Sequence, residues 1–453
     1  MDHVARFSRR FGEESRIGIS KRIKKMALKL PQPKDYRSAP LEDVELTKSI
    51  RATLAGLDAS AENLAEAITL PKECYTSEEW FEFEKRAVFD RDWVCVAHIG
   101  SIPNPRDYIS ININDDPLLV VRDQQNKIRV MSAVCAHRGS IIGEARGNCE
   151  RLVCPLHHWT YDLHGKLIGA PEMNATVPLS ELKLQASLPV LRSEVWNGWV
   201  FVNMAGQAKP LAPRVKVLTE EIKNHHMDEM LSTPNVELGP YSWNWKYMQE
   251  NAIEPYHTWY LHRGIHDFAP SSLASFYEWD DEDDGAVFHP TGFLDIDANF
   301  NMSFKCLFPI IKTLTEKERQ RVMFATVPPN LFFGAVPDGV FYYIILPAGA
   351  NSLKLRVGFL YPEATLKDRN FDAIFRTAID GLYAYNDQDV VSNARVHLGL
   401  KSRFAMRSRY APKEKTLPQM NRWLVKRYKA YAAEVESRSQ SAGSRKRQAR
   451  VPG

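Results

Sequence analysis

The sequence has no run of the 18 or so apolar residues that a membrane-crossing helix needs. Nothing near its start resembles a signal peptide, because residues 1–29 are studded with charge. Its net charge is only +4 over 453 residues, too little for a chain devoted as a whole to nucleic acid. It has six cysteines and no internal repeat. These absences exclude a small disulfide-stapled secreted domain and a repeat array. They lead us to expect a cytoplasmic protein without a membrane span or a nucleic-acid partner.

What is present is ordinary globular composition, 44% hydrophobic and 25% charged, with length for two or three domains. Basic residues gather at the two ends, as in Arg9, Arg10, Lys24 and Lys25, and again in Arg445, Lys446 and Arg447; they read as solvated tails. Residues 1–72 read as a basic, partly helical N-terminal extension, with a helical stretch from Leu41 to Ile68 and Ser60 as a cap within it. Residues 73–92 read as a helix leading into the core, capped by Thr76 or Ser77, with Trp80, Phe83, Ala87 and Val88 as its apolar stripe. Residues 93–208 hold short β-rich runs broken by Asn, Asp, Gly and Pro, the pattern of a small antiparallel domain that closes at "VWNGWVFVNM". In residues 209–436 helices and strands mix. "PNLFFGAV", "GVFYYIILPAG" and "SLKLRVGFLYPE" read as successive strands, and "FDAIFRTAIDGLYAYNDQDVVSNARVHLGL" as a long helix. Residues 437–453 read as a disordered basic tail.

The cysteines are Cys74, Cys95, Cys135, Cys149, Cys154 and Cys306. In a reducing compartment, clustered Cys and His more often mean metal than disulfide. Cys135 and His137 stand in "VCAHRG", and Cys154 and His157 in "VCPLHHW", with sixteen residues between the pairs. A structural zinc would take all four on one ion. A Rieske [2Fe–2S] cluster would take two thiolates on one iron and two imidazoles on the other. One Cys and one His per loop, in a β setting, favours the cluster.

A second group stands in "ENAIEPYHTWYLHRGIH", with Glu250, Glu254, His257, His262 and His266 within seventeen residues. Two His and one carboxylate on one face is the usual holder of catalytic non-heme Fe(II). Helical spacing alone selects His262 and His266, which share a face. His257 and His262 are about 140° apart on a regular helix, and converge only if the helix widens or ends between them. Spacing leaves the choice open.

"CAHRG…CPLHHWTYDLHGKLIGAP" and "NWK…E-x-x-H-x4-H" together resemble the Rieske non-heme iron oxygenases, of the aromatic ring-hydroxylating α-subunit type, over about residues 75–405. The resemblance implies an α+β protein: a Rieske antiparallel β domain joined to a helix-grip (START-like) catalytic domain, whose antiparallel sheet cups a long helix. It implies Cys135, His137, Cys154 and His157 on a [2Fe–2S] cluster. It also implies His257, His262 and Asp389 on a mononuclear Fe(II), with Asp387 as runner-up for the carboxylate. His266 then reads as structural or pocket-lining, and Cys149 as an ordinary thiol. His158 departs from the pattern, where Gly is common, and is not expected to be a ligand. Glu254 is expected to bridge the two metal centres across a subunit boundary. Tyr256, Trp259, Tyr260, Phe268 and Phe276 are candidates for pocket lining or plain core.

The implied activity is that of a terminal oxygenase. It takes electrons from a ferredoxin or flavin reductase and uses dioxygen to hydroxylate an aromatic or similar small substrate. The implied assembly is a homotrimer, possibly with a small β subunit. Oxidative N- or O-demethylation on the same scaffold is the alternative. An electron-transfer protein carrying only the cluster and a zinc-stabilised binding module are the readings from other classes.

Overall fold

The computed structural model describes residues 38, 39, 41 and 43–448; expectations for the remaining residues lie outside it. Near its start, helix α1 (Lys48–Ala55) is capped by the Thr47 hydroxyl, which accepts the Ile50 N–H. The expected helix from Leu41 to Ile68 is therefore much shorter, and Ser60 is buried at the end of a 3₁₀ turn instead of opening a helix. The reason lies far along the chain. The Arg407 guanidinium donates to the Gly56 and Thr69 carbonyls and to the Ser60 hydroxyl, which holds residues 56–69 as a fixed loop. Nor are residues 43–72 a separate extension, because Leu46, Ile50, Leu57, Ala67 and Leu70 are buried in the body. Helix α2 (Glu78–Glu84) is capped by Ser77, one of the two expected caps, and continues into a π-turn at Lys85–Phe89. Trp80, Phe83, Ala87 and Val88 are all buried, as an apolar stripe requires.

Strands β1 (Val94–His98), β2 (Asp107–Ile113), β3 (Asp116–Arg122), β4 (Ile128–Ser132), β5 (Arg146–Asn148), β9 (Val190–Trp196) and β10 (Trp199–Asn203) form one sheet in the order β1-β10-β9-β4-β3-β2-β5. Every pairing in it is antiparallel. In β2, Ile109, Ile111 and Ile113 point inward at period two, while Asn112 is exposed. The short strands β6 (Leu152–Val153), β7 (Thr160–Tyr161) and β8 (Leu167–Gly169) form a separate three-stranded sheet.

A second seven-stranded antiparallel sheet is built from β11 (Leu231–Ser232), β12 (Val236–Tyr241), β13 (Val287–Gly292), β14 (Arg321–Val327), β15 (Leu331–Val336), β16 (Gly339–Gly349) and β17 (Ser352–Tyr361). The three successive strands expected from the sequence are β15, β16 and β17. Their turns close at Val336↔Gly339 and Gly349↔Ser352. Helix α3 (Trp245–Ile253) precedes β13, and the long helix α4 (Phe371–Leu400) packs on the sheet, with Phe371 and Phe375 against Tyr361 and Phe359. The two sheets are joined by a side chain. Asn330, fully buried, accepts the Cys95 N–H and donates to the Cys95 carbonyl.

The last helix, α5 (Thr416–Gln448), runs through residues 437–448, where a disordered tail is expected from composition. Trp423, Leu424, Tyr428 and Tyr431 are buried and anchor it. Once a helix is anchored, each added residue extends it at little cost, even where the sequence is polar.

Candidate metal centres

The first group of ligands sits on two loops of the same shape. In the first, Cys135 N–H donates to the Ser140 carbonyl and Gly139 N–H returns to the Cys135 carbonyl; in the second, Cys154 N–H donates to Trp159 and His158 N–H returns to Cys154. Gly139 and His158 therefore hold equivalent positions, four residues after the cysteine. Both have left-handed backbones, with φ of 74° and 57°. A glycine adopts that conformation freely, whereas a side chain carries a steric cost of roughly 1–2 kcal/mol. This explains why His158 stands out, and its side chain points to solvent.

Cys135 and Cys154 are buried, while His137 and His157 are exposed with ring centroids 4.8 Å apart. Trp159 stacks flat on His137 at 4.6 Å. The Tyr161 hydroxyl accepts the Ala136 N–H and lies 3.3 Å from Cys135 Sγ. Burial raises the Cys154 thiol, but the Leu156 N–H, the Cys135 thiol and the His157 N–H outweigh it and hold its pKa below the ordinary value. A depressed thiol with a second beside it, and two imidazoles at an open edge, fits a group that takes thiolates inside and imidazoles outside. Cys149 is a half-buried free thiol, raised by burial.

The second group depends on a break in a helix. Asn244 caps α3 by accepting the Lys246 N–H, and Lys246 is buried against Glu84, which also accepts the Trp245 indole N–H and the Tyr428 hydroxyl. Helix α3 stops at Ile253, and Glu254 is extended. A single helical turn, Thr258–Leu261, follows, with His257 at its N-cap and His262 at its C-cap. Spacing demanded a helix that widens or ends between the two histidines, and neither occurs; instead α3 is interrupted before His257, and a short turn that begins at His257 and ends at His262 brings the two imidazoles together. The Glu254 carboxylate accepts the Tyr256 and His257 N–H groups and so starts the turn; its other oxygen lies 2.5 Å from His257 Nδ1.

Donor atoms of His257, His262 and Asp389 all lie within 4.8 Å of one another. Asp389 Oδ1 is 3.1 Å from His262 Nε2 and 3.7 Å from His257 Nε2. His262 Nδ1 is held 2.7 Å from the Gln388 side-chain oxygen, so both rings are tied at Nδ1 and turn Nε2 inward. Such outer hydrogen bonds fix the ring and tautomer of a metal-binding histidine. Burial lowers the His257 pKa, but Glu254 and Asp389 more than offset it and the net shift is upward. The donor set, two inward nitrogens and one carboxylate, matches what a mononuclear ferrous ion takes.

Other candidates fall elsewhere. Asp387 is exposed, and Glu250 turns to the Tyr75 hydroxyl, with burial pushing its carboxyl up to about 7. Tyr256, Trp259 and Tyr260 are exposed at 43%, 52% and 72%, so they do not line a pocket within the chain. Phe268 is buried beside His266, and Phe276 lies against His289. His266 stacks on His262 at 6.1 Å, and burial, with His262 beside it, pushes its pKa down to about 4. Gln388 was missed by sequence reasoning. Its only signal was its place next to Asp389, and neighbours on a helix usually face different ways.

Comparison with known proteins follows the same division. Residues 92–189 match the Rieske [2Fe-2S] domain, and residues 219–430 match the ring hydroxylating alpha subunit catalytic domain. The two matches take in more than half of the chain, which belongs to the Rieske oxygenase alpha-subunit family. It is 34% identical over 203 residues to the 2-aminobenzenesulfonate 2,3-dioxygenase subunit alpha of Alcaligenes sp, covering 43% of this chain and 50% of the relative. It is 32% identical over 235 residues to the glycine betaine monooxygenase oxygenase subunit of Chromohalobacter salexigens, covering 51% and 50%. The chain spans about half the length of these curated relatives. Among solved structures, naphthalene 1,2-dioxygenase from Rhodococcus sp. superposes with a TM-score of 0.72 at 20% identity, over 85% of this chain and 99% of that one. A quaternary ammonium Rieske monooxygenase in complex with L-carnitine gives 0.66 at 20%, over 81% and 98%. At that identity the likeness shows the fold. Among the described residues no helix is long and apolar enough to cross a membrane.

Proposed function

We propose that the chain is the terminal oxygenase component of a multicomponent system, with residues 93–208 receiving electrons and residues 209–436 carrying out the oxygenation. The observation that carries this reading is the convergence of His257, His262 and Asp389, both imidazoles tied at Nδ1. On this reading those three side chains hold a mononuclear iron, and Cys135, Cys154, His137 and His157 hold the [2Fe–2S] cluster. An iron held there would supply the reductive activation of dioxygen. Glu254 and Gln388 keep the Nδ1 protons in place and leave both Nε2 atoms free to bind.

Glu254 is also our choice for the hydrogen-bonded link to a cluster histidine of a neighbouring copy in a trimer. Exposed His137 and His157, and exposed Ile141, Val153 and Leu156 around them, suit a docked rather than a solvated tip. In a quaternary ammonium Rieske monooxygenase of similar fold, electron transfer is inter-subunit. A ferredoxin or flavin reductase is the expected electron source.

For the substrate we propose a small aromatic compound. Phe268, Phe300, Phe324, Phe341 and Tyr385 form a continuous group of rings beside the iron turn. Oxidative demethylation of a quaternary amine is the second reading, favoured by relatives that are glycine betaine and carnitine monooxygenase oxygenase subunits. Rings also attract cations. A betaine or carnitine, however, carries a carboxylate too, and the buried cations among the described residues, Lys85, Lys246 and Arg321, are each ion-paired.

Iron and acid-labile sulfide analysis, with an EPR spectrum of the reduced protein, tests the two-site assignment; about three irons per chain are expected. His257→Ala should keep the cluster signal and abolish oxidation across a panel of aromatic acids, hydrocarbons and methylated amines. Full oxidation by that variant would sink the assignment.

A further inference from the structure

His266 is a buried polar group beside the iron turn for which the proposed metal site has no use. It is 6% exposed, and its Nδ1 has no hydrogen-bond partner. Its ring lies nearly parallel to that of His262, 6.1 Å away, and is walled by Phe300 at 5.3 Å, Phe268 at 5.9 Å and Tyr385 at 5.9 Å. Tyr385 does not serve it, because its hydroxyl donates to the Ile265 carbonyl. Leaving such a nitrogen unpaired costs roughly 1–3 kcal/mol, and in folded proteins nearly all buried polar atoms find a partner. Three of the four neighbouring rings are hydrocarbon-faced, and the fourth, His262, is already bonded to Gln388. None of these four rings serves Nδ1, which leaves that nitrogen open to a partner from outside the group, beside the turn that carries His257 and His262.

We infer that His266 positions the substrate by a hydrogen bond from its imidazole, and so selects an aromatic compound bearing a hydroxyl or amino group. This deepens the proposed function and rests on it. An imidazole can accept from or donate to an O–H or N–H group. A quaternary ammonium group has no hydrogen to offer it. The phenyl walls take the ring of the substrate, and the single polar point sets which way that ring lies relative to His262.

The test is isothermal titration calorimetry of the iron-loaded, cluster-containing protein with phenol, aniline, toluene and phenyltrimethylammonium, repeated after chelation of the mononuclear iron. The wild type should bind phenol and aniline about tenfold more tightly than toluene, the worth of one net hydrogen bond. His266→Phe, which keeps a ring in the stack, should bring these three within about twofold and leave toluene unchanged. His266→Asn, with a polar atom near the Nδ1 position, should recover part of the preference. The inference is overturned if the wild type shows no preference, or if His266→Phe retains it or loses toluene as well. It is also overturned if phenyltrimethylammonium binds as tightly as aniline. Because the readout is binding, a protein that shows the preference but oxygenates none of the probes would refute the oxygenase reading and leave this inference standing.

Discussion

At the cluster loops, four donors come from residues 135–157, the thiols buried and the imidazoles exposed at the edge. At the iron turn, two donors come from one helical turn and the third, Asp389, from a helix more than a hundred residues later, and each imidazole is tied at Nδ1 by another side chain. The first site takes its shape from backbone: two equivalent loops, each closed by its own hydrogen bonds. The second takes its shape from side chains, namely Glu254, Gln388 and, further back, the Glu84–Lys246 pair that seats α3. A loop that closes on itself tolerates exposure, which suits a group that must be reached by a partner. A site assembled from distant elements has to be buried and cross-braced.

Three substitutions probe that contrast. Lys246→Met should have the largest effect. It strands the Glu84 carboxylate, with both partners fully buried, and should cost about 3–5 kcal/mol in chemical denaturation. If α3 serves only the second site, the cluster spectrum of the folded fraction should be unchanged. Gln388→Leu should come next, weakening mononuclear iron by about 10–100-fold in a chelator competition without altering cluster content. Equal loss of both metals would show that the sites are not separately built. His158→Gly should have the smallest effect and the opposite sign. It relieves a left-handed side chain at φ 57° and should raise stability by about 0.5 kcal/mol in a thermal melt, with iron content unchanged. A loss of stability there would mean that the His158 side chain has a role its exposure does not suggest.

The same contrast explains what could be read from the sequence. The Cys135–His137 and Cys154–His157 pairs were legible as candidates because a self-closed loop keeps its side chains within a few residues of one another. The long helix α4 and the strands β15, β16 and β17 were legible because apolar periodicity and turn residues are local. The choice of His257 with His262 was not, because it depends on where α3 ends, and Asp389 came from resemblance alone. Gln388 was invisible, since its role depends on the rotation of α4 against the iron turn. The N-terminal segment misled for a related reason: its loop is held by Arg407, and no local propensity encodes a guanidinium hundreds of residues away. The tail misled because its helix inherits order from Trp423, Tyr428 and Tyr431 upstream.

One consequence follows from Glu254. Its carboxylate starts the turn that carries both histidines, by taking the Tyr256 and His257 N–H groups, and it also steadies the His257 ring. Any change at this position thus perturbs the backbone turn and the His257 ring together with the electron route proposed for it. A Glu254→Gln enzyme that has lost turnover is for that reason no measure of electron transfer. Only a variant that holds the turn and the ring at their present places, while altering the outward-facing edge, would isolate the flow of charge from the architecture that receives it.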